Sequence, residues 1–536
     1  MQEYFKSKKI MIIVPHQDDE FNIVGGLLAN EYFNPTNVKI VYTTNGDYLC
    51  NYKARYREVF KISRKTKIPR ENFIFMGYAD QHIKESEHIY MTHEPNVFLS
   101  KKGNTETFAA YIGEYHYTKY NEHAKFNYEN FYKDMKEIII ENIPDVIFSI
   151  DLDSHPDHRA ASLTFDKVIG EILKQNLNYN PLIYKAFAYP TAYKGINDFN
   201  DINLLPTKFN IEKNSLSEFQ NPYYDWQERI SFPTNMDKLL IRNRLYKLLK
   251  IYRSQLFIKH TKQIINSDVV FWQKRTDNLA RNAEIQVSSG NASVLNDLIT
   301  IELEKITNGD KIIPNIKNIA WIPDENDKDK EITIKFPKTI ELSEMKLYQN
   351  VVDDSNIKSI QITLDKENQK FHLKQNKEII EFDNLKVNEI KVKVLDSKGK
   401  NAGFSEIEIF SKNKLFDSII VEINGNVISD KIFLNRLEQI KCIKFYCYNG
   451  FEKYEISQEN ILINNQKAQL RNIKFGLNKI SLNNNLSISK NINIIKISKY
   501  IKIKNKIINL MNDLTIKQDI FISKIYNKID RLTKRL

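Results

Sequence analysis

The chain predicts an α/β domain built on a doubly wound, mostly parallel sheet, followed by one or two β-sandwich domains and a carboxyl-terminal helix. Apolar runs that alternate with helix-like segments indicate the first domain. The runs lie near residues 10–14, 38–43, 73–76 and 146–150, and the helix-like segments near 22–32, 51–66 and 127–142. Such alternation is typical of parallel strands that are buried on both faces and joined by right-handed crossovers. We therefore expect a Rossmann-like sheet within residues 1–277.

Beyond residue 277 the chain shows strand-like alternation without helical segments until its end. Strand-like segments occur at residues 331–336, 340–348, 357–364 and 389–394. Strands at this spacing, separated by polar turns, predict a β-sandwich at residues 278–411. Residues 412–497 continue the pattern with Asn-Gly turns, which predicts a third, small β-rich domain.

Length and composition limit the classes of protein that fit this chain. At 536 residues it is too long for one core, and its three cysteines do not predict a disulfide framework. It has no run of 18 or more apolar residues, and its first residues lead into the first strand without a separate apolar leader. The sequence therefore predicts a cytoplasmic protein.

The net charge of +12 is concentrated towards the carboxyl end. Residues 412–536 hold 23 Lys/Arg and 10 Asp/Glu. A basic segment raises nucleic acid as a partner, but this one has few arginines and no nucleic-acid-binding motif. Nucleic acid is therefore not the partner that the sequence predicts.

Two motifs rich in histidine and carboxylates follow two of the predicted strands. The first runs from His16 to Glu20, and the second from Asp151 to His158. Ligands bind at the carboxyl ends of strands in open α/β sheets, so both motifs stand where a site is expected. His16, Asp19 and His158 would supply three protein ligands and leave one position open, which is the pattern of a catalytic zinc site. The alternative is that these polar residues only cap the helices that follow.

Together the motifs resemble the PIG-L/LmbE-like family of zinc-dependent N-acetylglucosamine de-N-acetylases. Further family-like segments occur in the expected order at residues 44–47, 55–58, 77–80 and 252–255, so the resemblance covers about residues 8–275. One departure is Gln17, where the family usually has proline, at a position that carries no metal ligand.

The resemblance implies hydrolysis of the N-acetyl group of an N-acetylglucosamine-type sugar or glycoconjugate, which releases acetate and a free amine. It also implies individual roles: Zn²⁺ ligation by His16, Asp19 and His158, general-base catalysis by Asp18, carbonyl polarisation by His155, and sugar contacts by Arg55 and Asp80. Two alternatives stay open. One is a metal amidohydrolase that acts on a non-sugar amide, and the other is a glycan-binding protein whose first domain is inactive.

Residues 278–411 resemble the discoidin (coagulation factor 5/8 type C) family. The matching features are residues 278–283, residues 306–310, Trp321 and the closing segment 403–410. The resemblance implies a sandwich of the galactose-binding type, which would hold a glycan. The alternative is a sandwich that only braces the first domain.

Residues 498–536 predict a basic amphipathic helix. Its apolar residues recur mainly at spacings of three, four and seven, and they are Ile507, Ile508, Met511, Leu514, Phe521, Ile522, Ile525, Ile529 and Leu532. Lysines and arginines make the rest strongly basic. This composition favours the surface of an anionic membrane, which would make the protein peripheral at the inner face. A coiled coil, or a helix packed on its own protein, is the alternative.

Two segments of the first domain lack a clear motif. Residues 239–265 predict one basic amphipathic helix that closes the domain. Residues 81–125 form an insertion without regular periodicity, whose aromatic residues are candidates for stacking on a sugar or for ordinary packing. Its histidines show no ligand spacing.

Overall fold

The computed structural model describes residues 2–48, 51–81, 88, 90, 97–208, 221–301, 303–307, 311–314, 319–351, 355–365, 367–412, 417–450 and 453–532. Residues 308–310 of the predicted 306–310 motif lie outside the described residues, as do residues 533–536 of the predicted tail. His82 and His93 of the 81–125 insertion lie outside them as well.

A seven-stranded sheet forms the centre of the first domain. Its strands are β1 (Ile10–Val14), β2 (Val38–Thr44), β3 (Phe73–Tyr78), β4 (Val146–Ile150), β5 (Leu182–Ala186), β6 (Ile230–Pro233) and β7 (Asp268–Lys274). They are arranged in the order β3-β2-β1-β4-β5-β7-β6. The pairs among β1 to β5 are parallel, and β7 and β6 add an antiparallel edge. The predicted doubly wound, mostly parallel sheet is confirmed.

Helices cover both faces of this sheet because alternate strand residues enter two separate hydrophobic cores. Ile10, Ile12 and Val14 of β1 belong to one core, whereas Met11 and Ile13 belong to the other. The helices are α1 (Gln2–Lys6), α2 (Asp19–Ile23), α3 (Gly25–Ala29), α4 (Tyr52–Thr66), α5 (Tyr115–Tyr120), α6 (Tyr128–Asn142), α7 (Pro156–Gln175), α8 (Arg244–Leu249) and α9 (Thr261–Ile264).

The two motif-bearing strands, β1 and β4, are neighbours at the centre of the sheet. Ile10 pairs with Val146 and Ile13 with Ser149, in parallel register. Both strands are buried along their whole length. Their carboxyl ends therefore deliver residues 16–20 and 151–158 to the same edge, which is where such sheets bind ligands.

An antiparallel β-sandwich follows the first domain. Its strands are β8 (Glu284–Val287), β9 (Leu303–Thr307), β10 (Lys311–Pro314), β11 (Glu331–Gln349), β12 (Asn356–Leu364), β13 (Glu367–His372), β14 (Lys377–Lys398) and β15 (Phe404–Phe410). β11 is longer than predicted, because the expected strands at 331–336 and 340–348 form one element. Its first part pairs with β8 and its last part with β15. The core beneath these strands includes fully buried Trp321.

A third β-rich region continues the chain and packs on the first domain. Its strands are β16 (Ser418–Ile423), β17 (Asn426–Ile428), β18 (Lys431–Leu434), β19 (Ile443–Tyr448), β20 (Lys453–Glu455), β21 (Ile461–Ile463), β22 (Gln466–Lys467), β23 (Gly476–Leu482) and β24 (Ser489–Lys496). They form a four-stranded and a five-stranded sheet. Ile420, Val427 and Tyr448 join a core of the first domain, and the hydroxyl groups of Tyr448 and Tyr184 lie 2.7 Å apart.

The last described element is the long helix α10 (Lys499–Leu532), which lies on the first domain. Ile516 and Ile520 of this helix pack against the same core that α3 and α4 cover. The predicted carboxyl-terminal helix is therefore confirmed, and it packs on its own protein. Among the described helices, none combines the length and the apolar character that crossing a membrane would require.

Two helix predictions are wrong in their extent. Residues 239–265 do not form one helix but contain α8, a 3₁₀ turn at Phe257–His260 and α9. Leu256 has a φ of 54°, a left-handed conformation that a continuous helix cannot accommodate. The helix expected near 22–32 is divided at Val24 into α2 and α3. Apolar spacing predicts which face is buried, but it does not reveal a break in the backbone.

Candidate active site

Three residues of the two motifs meet at the carboxyl edge of β1 and β4. Oδ2 of Asp19 lies 3.0 Å from Nδ1 of His16 and 3.2 Å from Nε2 of His158. All three side chains are buried. Asp19 stands at the start of the short helix α2, and His158 lies in the first turn of the long helix α7. The structure thus brings the predicted ligand set together around one carboxylate oxygen.

The outer nitrogen of each imidazole is held by a further carboxylate. Nε2 of His16 lies 3.0 Å from Oδ2 of Asp157, and Nδ1 of His158 donates to Oδ1 of Asp153 at 2.8 Å. Histidines that bind metals usually have such an outer partner, which fixes the orientation of the ring and its tautomer. The nitrogens that remain directed at Asp19 are Nδ1 of His16 and Nε2 of His158.

The donor atoms fit a divalent metal ion. Nε2 of His158 is buried, and although Oδ2 of Asp19 lies 3.2 Å from it, no described residue forms a well-aligned hydrogen bond with this nitrogen. A buried polar atom without a partner is costly, and coordination of a metal would satisfy it. Two imidazoles and one carboxylate form a donor set that zinc accepts readily. A wider set is also within reach, since ring nitrogens of His16, His155 and His158 lie within 4.8 Å of one another.

The charges in this cluster favour a bound cation. Burial disfavours the carboxylate of Asp19, but the imidazoles of His158 and His16 outweigh it and hold the pKa of Asp19 well below its usual range. Burial likewise disfavours the imidazolium of His158, but Asp153 and Asp19 raise its pKa to about 10. The carboxylates thus stabilise positive charge at the position where the three donor atoms meet.

Asp18 lines the cleft next to this cluster and has an unusual backbone. Its φ of 153° is positive, a conformation rarely adopted by residues other than glycine. Glu20 stabilises this conformation, because its Oε2 accepts a hydrogen bond from the main-chain amide of Asp18 at 3.1 Å. The Tyr252 hydroxyl donates to Oε1 of Glu20 and so fixes the carboxylate. Burial and the adjacent Asp19 raise the pKa of Asp18 to about 7. The carboxylate of Asp18 faces the cleft, and that of Glu20 is fully buried.

His155 caps helix α7 and faces the same cleft. Its Nδ1 accepts a hydrogen bond from the Asp157 amide at 3.2 Å, which places the ring proton on Nε2. Burial, together with the nearby His16 and His158, keeps the pKa of His155 well below its usual range, so the ring is neutral. A neutral imidazole with a proton on Nε2 can donate a hydrogen bond to a substrate oxygen.

Arg55, on α4, and Asp80, which follows β3, also line the cleft, and Oδ1 of Asp80 lies 3.8 Å from Nε2 of His16. A Cβ atom on Gly46 would stand 2.6 Å from Cζ of Arg55, and Gly46 has a φ of 60°. Glycine is therefore required at this position for the guanidinium group to lie against the loop. The Asp80 amide donates to Oδ1 of Asp47 at 3.0 Å, which fixes the following loop beside it.

The cleft holds all the predicted site residues except His158, which lies beneath its floor, and has a volume of about 220 Å³. Its remaining lining residues are Asn22, Tyr48, Tyr189, Tyr193 and Gln255. The rings of Tyr189 and Tyr193 stack with centroids 5.1 Å apart and form an aromatic wall beside the imidazoles. A cleft that combines an aromatic wall with an arginine and a carboxylate suits a polar ring with hydroxyl groups.

Sequence reasoning missed several residues of this site. Asp153 and Asp157 belong to the second motif, but no role was predicted for either of them. Tyr189 and Tyr193 follow β5 in a segment without any motif, so no signal in the sequence pointed to them. His88 was dismissed because of its spacing, yet its Nε2 lies 2.7 Å from Oδ1 of Asp157. It thereby supports the carboxylate that holds His16.

We expect Asp153→Asn to weaken metal binding by roughly 10–100-fold, the usual cost of losing an outer partner of a ligating histidine. The neutral amide no longer favours the Nδ1–H tautomer of His158, and one of its two terminal atoms can no longer accept hydrogen bonds. In the wild-type protein, Oδ2 of Asp153 accepts hydrogen bonds from the main-chain amides of Ala188 and Tyr189, at 3.1 and 3.2 Å. Competition with a chromogenic chelator measures the affinity.

Asp134→Asn is the matched control for this prediction. Asp134 is a fully buried carboxylate that accepts from Nδ1 of His116 at 2.7 Å and from Tyr78, away from the cleft. Its loss should reduce stability but leave metal affinity unchanged. Equal losses of metal affinity in both variants would show that Asp153→Asn acts through a general loss of stability rather than through His158.

Comparison with known proteins finds solved structures that are similar to part of the chain and a protein-family model that matches another part. Among curated proteins, none matches the chain. Solved structures similar to part of the chain include the family 32 carbohydrate-binding module from C. perfringens NanJ in complex with galactose, with 13% identity, a TM-score of 0.18, and coverage of 24% of this chain and 95% of that chain. CpGH89CBM32-5 from Clostridium perfringens, in complex with GalNAc-β-1,3-galactose, has 13% identity, a TM-score of 0.19, and coverage of 25% and 98%.

A protein-family model matches the first domain, over the stretch that begins in β1 and ends in α7. This stretch contains both histidine-carboxylate motifs as well as Arg55 and Asp80. The resemblance expected from the sequence is confirmed there: residues 11–169 match the PIG-L family, described as GlcNAc-PI de-N-acetylase.

Proposed function

We propose that the protein is a zinc-dependent hydrolase that removes the N-acetyl group from an N-acetylglucosamine-type sugar or glycoconjugate. The observation that carries the proposal is the convergence of His16, Asp19 and His158 in a cleft that also contains Asp18 and His155. The family match over residues 11–169 supports the same class of reaction.

The ion would be held by Nδ1 of His16, Oδ2 of Asp19 and Nε2 of His158. When bound, it would supply Lewis-acid activation of water and of the amide carbonyl. Asp157 and Asp153 keep the two imidazoles in the tautomers that this ligation needs, because each accepts a hydrogen bond from the outer ring N–H.

The remaining chemistry is assigned to Asp18 and His155. Asp18 takes the proton of the attacking water and later returns it to the departing amine. Its position next to Asp19 and its unusual backbone aim the carboxylate into the cleft rather than into the core. His155 donates from Nε2 to the oxygen that gains negative charge in the tetrahedral intermediate. Each proton transfer that amide hydrolysis requires therefore has a residue in this cleft.

The sugar would be held by further residues that line the cleft. Arg55 and Asp80 offer a donor and an acceptor for ring hydroxyl groups, and Tyr189 offers a flat apolar surface. This arrangement favours a sugar over a simple alkyl amide, because polar partners and an aromatic face occur together. Residues 278–411 are a proposed glycan-holding domain, and this role is independent of the reaction.

The proposal is tested by measuring acetate release from a panel of N-acetyl sugars, lipid-linked and soluble, and of non-sugar amides. We expect release from N-acetylglucosamine-type substrates, its loss on treatment with a chelator, and its recovery on addition of zinc. Release only from non-sugar amides would support a metal amidohydrolase instead. Glycan binding without any acetate release, in protein that contains its metal, would support an inactive first domain.

A further inference from the structure

Helix α10 is attached to the first domain through its polar side. Its asparagines bond to main-chain groups of the domain: Asn509 donates to the Asn200 carbonyl at 2.7 Å, and Asn512 donates to the Lys238 carbonyl at 2.8 Å. Asn512 also accepts from the Leu240 amide at 3.0 Å. Such directional bonds fix the rotation of the helix about its axis, and therefore fix which face points outwards.

The acidic residues of α10 also lie on the attached side. The helix contains three of them, Asp513, Asp519 and Asp530. Each contacts the first domain: Lys262 lies 2.6 Å from Asp513, the Tyr246 hydroxyl lies 2.6 Å from Asp519, and Arg57 lies 3.0 Å from Asp530. The negative charge of the helix is thus directed towards the domain.

The outward side of α10 is an exposed apolar stripe. Its members are 42 to 70% exposed, and they are Tyr500, Ile503, Ile507, Leu510, Met511, Leu514, Phe521, Ile525 and Ile529. Spacings of three, four and seven place them along one face of the helix. A surface helix normally buries its apolar face, whereas this helix packs only some of its apolar residues, such as Ile516 and Ile520, on the domain and leaves the nine of the stripe exposed. A contiguous apolar surface of this kind marks an interaction site.

Exposed lysines border the stripe. They are Lys499, Lys502, Lys504, Lys506, Lys517, Lys524 and Lys528. No acidic residue of the described helix shares the outward side with them, because all three contact the domain. The free surface of α10 therefore combines apolar side chains with uncompensated positive charge.

We propose that this stripe docks on an anionic lipid surface. Interfacial helices have this composition, with apolar side chains that enter the acyl boundary and lysines that reach anionic headgroups. Lysine stems are long enough to lie along apolar surface while their ammonium groups stay in water. A second copy of the chain is disfavoured as the occupant, since two such helices would bring lysines against lysines without acidic partners.

Docking in this way places the rim of the cleft beside the lipid. Asn527 of α10 donates to the carbonyl groups of Arg253 and Ser254, and the next residue, Gln255, lines the cleft. Asp530 accepts from Asn51 at 2.7 Å, immediately before α4, which carries Arg55. The carboxyl-terminal half of the docked helix therefore lies along the edge of the site. Docking itself does not depend on the proposed reaction.

Vesicle flotation of the full chain tests the proposal. We expect the protein to float with vesicles of phosphatidylserine and phosphatidylcholine at low salt, less at high salt, and not with phosphatidylcholine alone. Leu514→Glu with Phe521→Glu should lower binding at least tenfold. Leu477→Glu with Leu486→Glu is the matched control, because these two leucines are exposed to the same degree on the third β-rich region, and it should bind as the wild type does.

A lysine variant provides a second, independent readout. Lys506→Gln, Lys517→Gln and Lys524→Gln together keep the apolar stripe and the attached side unchanged, so we expect normal folding by circular dichroism and weaker flotation. Absence of wild-type flotation with anionic vesicles would overturn the proposal, as would equal flotation of the wild type and the Leu514/Phe521 variant. A dimer in sedimentation that this variant dissociates, without vesicle binding, would assign the stripe to a second copy instead.

Discussion

Asp18→Asn is expected to lower the rate of deacetylation by roughly 10²–10⁴-fold while the protein folds normally and keeps its metal. Asparagine has nearly the same shape as aspartate, and the main-chain amide of residue 18 can still donate to Glu20. The amide side chain cannot accept the proton of the attacking water. The loss should therefore appear in kcat, because it removes a proton transfer that occurs only on the way to the transition state.

Asp80→Asn separates this effect from general damage to the cleft. Asp80 lines the same cleft, with Oδ1 3.8 Å from Nε2 of His16, but it is assigned to the sugar rather than to the proton, so the metal content of this variant must be measured alongside its kinetics. We expect this variant mainly to raise KM, because a substrate contact present throughout the reaction is weakened. Acetate release as a function of substrate concentration, with metal content measured on the same samples, distinguishes the two variants.

Turnover of Asp18→Asn near that of the wild type would assign the base to another group. Glu20 is the neighbouring carboxylate in the sequence, but it is a poor candidate in the structure. Both of its oxygens already accept hydrogen bonds, from Tyr252 and from the Asp18 amide, and its side chain lies below the cleft. Burial raises the pKa of Glu20 to about 8, although the bond from Tyr252 partly offsets this effect.

The fold of the first domain was predictable because its strands are buried on both faces. A strand such as β1, with five consecutive buried apolar residues, leaves few alternatives to a parallel sheet covered by helices. The antiparallel edge formed by β6 and β7 was not predicted, because β6 has only four residues and follows a long irregular segment. Strand length and direction depend on tertiary packing that a single sequence does not contain.

Which side of α10 points outwards could not be predicted from the sequence either. Its periodicity predicted an amphipathic helix, yet Ile508 and Ile522, which were counted with the apolar face, are half-buried rather than fully exposed. Periodicity gives the relative positions of residues around a helix. It does not say which face packs on the protein. In α10 the asparagines determine the packed face, because side chains such as Asn512 form hydrogen bonds with main-chain groups of the first domain, which apolar side chains cannot do.

Within the site, the motifs predicted the residues but not the partners that orient them. His16, Asp19 and His158 are recognisable because two motifs of histidine and carboxylates each follow a predicted strand of the same sheet, where ligands bind. Asp153 and Asp157 stand in the same motif, but spacing alone gives no reason to assign one carboxylate to each imidazole. That assignment needs the distances of 2.8 and 3.0 Å from the outer ring nitrogens.

The purified protein is expected to carry one zinc ion per chain, and His16→Ala, Asp19→Ala and His158→Ala are each expected to lose it. Each substitution removes one of three donor atoms, and two remaining ligands do not hold zinc tightly. Atomic absorption after dialysis against a weak chelator measures the metal. Circular dichroism on the same samples shows whether the chain has folded, because loss of a structural element would release the ion by a different route.

His155→Ala is the matched variant that decides whether a third imidazole belongs to the ligand set. Its imidazole lies close enough to those of His16 and His158 to complete a site of three histidines. However, the outer partner of His155 is the main-chain amide of Asp157, which donates to the ring, whereas the other two imidazoles have carboxylates as acceptors. A ring whose Nδ1 accepts must keep its proton on Nε2, and a protonated nitrogen cannot bind a metal. We therefore expect His155→Ala to retain zinc and to lose activity. The opposite result would be loss of zinc from His155→Ala together with its retention in Asp19→Ala. It would show that the third ligand is the imidazole of His155 rather than the carboxylate of Asp19, and that Asp19 only orients the rings of His16 and His158.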